Sequence, residues 1–92
     1  MKNRLGEGQA LHNLGIAFRK QGRWADAEKV YHQALNIWKE ISDVMQEGQT
    51  WDALANIYSD SGATEKAADA QKKSSEIADR LGGHAKDGII VV

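Results

Sequence analysis

The chain repeats itself at an offset of 40 residues, and that spacing limits its fold more than any other feature. Glu7-Gly8-Gln9 falls on Glu47-Gly48-Gln49, Leu14 on Leu54, Phe18 on Tyr58, Gly22 on Gly62, Ala27 on Ala67 and Ile37 on Ile77. A period between about 20 and 50 residues marks a solenoid, in which each unit buries its apolar face against the next. With 92 residues there is room for two such units in a single domain over 1–92, built around a thin core. Two short units leave little interior for a deep pocket, so function should follow from surface shape. The absence of proline fits an all-α chain, and the absence of cysteine excludes disulfide scaffolds, thiolate metal sites and thiol catalysis. A net charge of -1 argues against nucleic acid as partner. No stretch approaches the roughly 20 apolar residues of a membrane span, and none near Met1 reads as a signal peptide, so the expected compartment is the cytoplasm.

Within each unit two helical stretches flank a glycine. The spacing predicts helices over roughly Gly8–Lys20 and Trp24–Asp43 around Gly22, forming a unit over 8–43. It predicts a second pair over roughly Glu47–Ser61 and Thr64–Leu81 around Gly62, forming a unit over 47–81. Gly82-Gly83 is suited to a left-handed cap before a tail over 82–92. The first helix carries Leu11, Leu14, Gly15 and Phe18 on one stripe, and the third carries Trp51, Leu54, Ala55 and Tyr58. Gly15 and Ala55 sit inside these stripes, where a small residue admits a neighbouring helix. The second helix should be the most buried, through Ala27, Val30, Tyr31, Ala34, Trp38 and Ile41. The fourth, with Gln71 and Ser74 in the places of Tyr31 and Ala34, reads as a terminal helix whose apolar positions are Ala67, Ala70, Ile77, Ala78 and Leu81.

Leu11, Leu14, Gly15, Phe18, Ala27, Tyr31 and Ala34, with Trp51, Leu54, Ala55, Tyr58 and Ala67, resemble the tetratricopeptide repeat pattern in type and spacing. The resemblance covers roughly residues 8–81. It implies helix–turn–helix units in a short right-handed superhelical solenoid that binds proteins or peptides without catalysis. The period of 40 in place of about 34 resembles the longer variety found in kinesin light chain and bacterial signalling regulators. Lys39 stands where the family places a proline, which fits a second helix continuing through Ile41 to Asp43. Asp79–Gly82 echoes Asn3–Gly6, either because units of a longer array end alike or by chance.

In this family the first helix of each unit lines the concave face. Opposite the two stripes lie Gln9, His12, Asn13, Ile16, Arg19 and Lys20, and Gln49, Asp52, Ala53, Asn56, Ser59 and Asp60. These residues form the expected ligand groove. Ile16 stands out as a β-branched apolar side chain centred on a polar face; it is either a contact for a ligand or an isolated surface residue. Arg19 and Lys20 suit an acidic segment or a terminal carboxylate. Residues 40 apart occupy equivalent places on adjacent helices, so His12 with Asp52 and Lys20 with Asp60 read foremost as ion pairs between units, leaving Arg19 as the chief uncompensated cation. Some relatives grip a terminal carboxylate with a basic residue and an asparagine one turn apart; His12 and Ile16 stand there, so that clamp is not carried over.

Other chemistry finds little support. His12, His32 and His84 lack metal-ligand spacing, so no metal or other cofactor is expected. Gly82-Gly83 follows a helix where a phosphate loop would open one. Asp69, Glu76 and Asp79 interleave with Lys72, Lys73 and Arg80 on a solvated face, with Glu76 and Arg80 spaced as an i,i+4 pair. Trp38 and Trp51 fall on core stripes and Trp24 at the inter-helix turn. An enzyme would need a nucleophile–base constellation, and none is visible. Two units alone leave an apolar end open, which predicts a homodimer or higher oligomer as an alternative to groove binding. A peptide-sensing fragment of a larger signalling protein is the other alternative. The tail Ile89-Ile90-Val91-Val92 would fold back, add to a partner or mark a boundary.

Overall fold

The computed structural model describes residues 3–83, and the tail 84–92 with His84 lies outside them. The chain forms α1 (Arg4–Lys20), α2 (Trp24–Glu40), α3 (Val44–Asp60) and α4 (Thr64–Ala78), followed by a π-helical turn over Asp79–Gly83. α1 and α3 have equal length and start 40 residues apart, as do α2 and α4 in their starts, so the period of the sequence is the period of the fold. α1 packs on α2, α2 on α3, and α3 on α4.

The three inter-helix turns share one geometry. Gly22, Ser42 and Gly62 each take a positive φ, of 74°, 58° and 85°. Behind each, the next amide donates back to a carbonyl five residues earlier: Arg23 to Phe18 at 2.9 Å, Asp43 to Trp38 at 2.8 Å and Ala63 to Tyr58 at 2.7 Å. The middle turn explains why α2 stops at Glu40 instead of running to Asp43. Ser42 takes the left-handed position, and Asp43 leaves α2 to cap α3, its carboxylate accepting from the Gln46 amide at 3.2 Å. Asn3 does the same for α1, accepting from Gly6 at 2.9 Å, and so starts that helix four residues before the expected Gly8. At the far end no left-handed glycine cap forms at Gly82. The π-helical turn carries the chain through Gly83, satisfying helix-end carbonyls with wider hydrogen bonds. Because α4 gives way there, Glu76 and Arg80 make no ion pair among the described residues.

α2 is the most buried element, with Ala27, Val30, Tyr31, Ala34, Leu35, Ile37 and Trp38 inside. Close approach to α1 depends on missing side chains. The Trp38 ring lies over Gly8 and the Tyr31 ring over Gly15, where an added Cβ would stand 2.5 and 2.6 Å from ring carbons. Large rings thus fill the space that the two glycines leave between α1 and α2.

Two parts of the expected core are corrected. Leu14 is 43% exposed although its counterpart Leu54 is fully buried. Leu54 has a preceding unit to pack on, whereas the same position in α1 faces outward. Ala78 and Leu81 are likewise exposed, because no described element packs over that side of α4 and the turn that follows it.

Candidate functional site

One face of α1 and α3 carries two adjoining hollows. The larger, about 390 Å³, is lined by His12, Ile16 and Arg19 of α1, Gln49, Asp52, Ala53 and Asn56 of α3, and Tyr31 from beneath. The other, about 300 Å³, is lined by Gln9, His12, Asn13, Trp38 and Gln46. His12 belongs to both. Their lining side chains recur at helical spacing, so each projects from a rigid element that its own unit holds in place.

Ile16 is 38% exposed among mostly polar neighbours. Asn56, its counterpart 40 residues on, is also exposed. Gln9, Asn13, Gln49 and Asp52 are exposed as well, while Lys20 and Ser59 stand at the C-terminal ends of α1 and α3, beyond the lining of the two hollows.

The ion pairing differs from the expected register. Arg19, and not Lys20, meets Asp60, with Nε donating to the carboxylate at 2.8 Å. Successive residues leave a helix about 100° apart, so only one of the two neighbouring cations faces Asp60. Arg19 is therefore compensated. His12 does not pair with Asp52 either; it is half-buried, its Nδ1 lying 3.3 Å from the Thr50 hydroxyl and its ring edge-on to Tyr31 with centroids 5.2 Å apart.

Thr50 joins the two units and was not legible from the repeat, since Ala10 occupies the equivalent place. It is fully buried, and its oxygen accepts from the indole N–H of the equally buried Trp38 at 2.8 Å. With that lone pair engaged, the hydroxyl proton is free to point at His12 Nδ1. The chain Trp38–Thr50–His12 thereby links α2, α3 and α1, and it leaves no buried side-chain polar atom unpaired among the described residues. Burial lowers the His12 pKa below its ordinary value. A second link crosses lower down, where the Tyr58 hydroxyl donates to Glu28 at 2.5 Å. Burial first, and then this bond and the carboxylate's charge, push the Tyr58 phenol well above the ordinary tyrosine range. Tyr31 also reaches the hollow unforeseen, and the signal for it was Gly15, whose missing side chain lets the ring through.

The three tryptophans are structural. Trp38 is fully buried; Trp24 and Trp51 are half-buried against the core, with Lys73 over the Trp51 ring at 5.2 Å. Among the described residues, no helix is long and apolar enough to cross a membrane.

Repeated helix pairs in which the second helix of one unit packs on the first helix of the next define an α-helical repeat protein, a class whose chemistry is surface recognition. The tetratricopeptide repeat family model matches residues 6–80, and the chain belongs to that family. Its members are generally protein-interaction scaffolds and typically non-catalytic. No curated protein and no solved structure matches the chain.

Proposed function

We propose that the face shared by α1 and α3 receives an extended segment of a protein or peptide partner, and that the chain works as a non-catalytic scaffold module in the cytoplasm. The observation that carries this reading is Ile16, a large apolar side chain left 38% exposed in a hollow whose other lining residues are mostly polar or charged in type. Beside it the carboxamides of Gln49 and Asn56, and in the adjoining hollow those of Gln9 and Asn13, offer both donors and acceptors, the chemistry that suits a peptide backbone in extended form. Arg19 is held by Asp60, so the face does not select strongly for acidic segments. Asp52, exposed on the α3 side, adds a preference for a basic residue in the ligand.

The 40-residue period supports the longer-helix variety of the family, in which peptide sensing within a larger signalling protein is one role. The near-neutral charge supports protein over nucleic acid as partner. Uncovered apolar side chains at both ends support self-association as a second reading.

The test is capture of partners from the source organism by the wild-type chain and by Ile16→Asp. A partner held by the wild type and lost by the variant places binding on this face. Partners retained by Ile16→Asp put the site elsewhere.

A further inference from the structure

We infer that copies of this chain stack end to end, the α1 side of one docking on the α3/α4 side of the next. This deepens the self-association reading above by naming both surfaces. The two ends are halves of a contact that the molecule already makes once inside itself. There, Thr50, Leu54 and Ile57 of α3 are buried to 0%, 0% and 1% exposure. Forty residues earlier, Ala10, Leu14 and Ala17 occupy the same places on α1 and all three are exposed. At the opposite end Met45, Ser74, Ala78 and Leu81 border a hollow of about 170 Å³ over Gly48 and Ile77. Met45 is 61% and Leu81 51% exposed.

The polar contacts between units change in pairs, and this identifies the second copy as occupant. The internal hydrogen bond from Trp38 to Thr50 corresponds, at an offset of 40 between copies, to Ala78 facing Ala10. The bond from Tyr58 to Glu28 corresponds to Phe18 facing Ala68. In each pair both members lose their polar atoms together, so the same docking geometry repeated between copies leaves none of these groups unpaired. The Arg19–Asp60 pair corresponds to Ser59 facing Lys20, with Asp60 beside it, an arrangement that keeps a hydrogen bond and an attraction. Gln71 and Ser75 replace Tyr31 and Leu35, so the contact between copies is shallower than the internal one and association depends on concentration. A head-to-tail contact of this kind does not close on itself, and it yields a ladder of species in place of a single dimer.

Sedimentation of the full chain across a wide concentration range tests this. The wild type should form a ladder. Leu14→Asp spoils one end and Ala78→Glu the other; both positions are exposed, so the helicity of each variant should match the wild type. Each variant alone should associate at least about tenfold more weakly. Mixed in equal amounts they should form a one-to-one complex and stop, because each retains the end that the other has lost. A wild type that stays monomeric throughout overturns the inference, and if Ile90→Asp then releases association, the hollow belongs to the chain's own C-terminal segment. A mixture that stays monomeric while the wild type associates also overturns it, and so does either variant alone dimerising as tightly as the wild type, which is the mark of a symmetric contact through its intact end. Ile16→Asp should leave the ladder unchanged, so failure here and failure of the peptide-binding reading are separable.

Discussion

Replacing Thr50 with valine exchanges a hydroxyl for a methyl at constant volume, and it does so where the two units meet. Thr50 and Trp38 are both fully buried, and the indole N–H has the Thr50 oxygen as its partner at 2.8 Å. Valine leaves that donor unpaired without opening a cavity. A buried donor without an acceptor costs about 1–3 kcal/mol, and helix propensities of threonine and valine are nearly equal, so they do not offset it. A chain of this size loses about 4–8 °C of melting temperature per kcal/mol, which sets the expected fall at roughly 4–24 °C. Thermal and urea unfolding, followed by circular dichroism, would measure it. A double-mutant cycle with Trp38→Phe removes the donor itself and isolates the bond from the packing lost with the indole. The coupling between the two positions should be about 1 kcal/mol or more. If Thr50→Val unfolds within about 0.5 kcal/mol of the wild type, or the cycle shows no coupling, the hydrogen bond does not hold the units together and the account of the junction fails.

Gly15→Ala should destabilise by about 1–2 kcal/mol despite alanine's better helix propensity, since its Cβ would stand 2.6 Å from the Tyr31 ring; urea midpoints decide this. Ser42→Gly should stabilise by about 0.5–1 kcal/mol, because Ser42 occupies the left-handed region at φ 58° while glycines hold the matching places in the other turns. Burial lowers the His12 pKa, so the unfolded chain takes up a proton first as pH falls. The stability contributed by neutral His12 is therefore complete above about pH 6.5 and lost progressively below it, and His12→Gln should flatten that part of a pH–stability profile.

Helix number, order and spacing were legible because a repeat pattern states them twice. What the pattern does not state is which unit comes first. Leu14 and Leu54 are the same residue in the same register, yet one is 43% exposed and the other fully buried, since burial at that position comes from the unit before it. The turn at Ser42 was hidden for a related reason: serine takes a conformation that glycine announces at Gly22 and Gly62. On the candidate face, Ile16 and the exposed amides followed from a helical wheel. The pairing of Arg19 with Asp60 did not, because which of two neighbouring basic side chains reaches the carboxylate is decided by packing and leaves no mark on the sequence. Thr50 was invisible because its counterpart is Ala10, so the residue that joins the units breaks the repeat that reveals them.

That junction also bears on how the face would work. His12 lines both hollows and belongs to the Trp38–Thr50–His12 chain, so the floor of the candidate site and the seam between units share a residue. A segment lying across Ile16 and Asn56 touches α1 and α3 at once, and it meets both only when the units are stacked. Such a ligand binds the folded pair and not the separated halves, so by mass action it stabilises the junction in proportion to its own occupancy. Weakening the junction through Thr50→Val must then weaken ligand binding although Thr50 itself lines neither hollow, both through the bond lost to His12 and to the extent that unstacked molecules become populated.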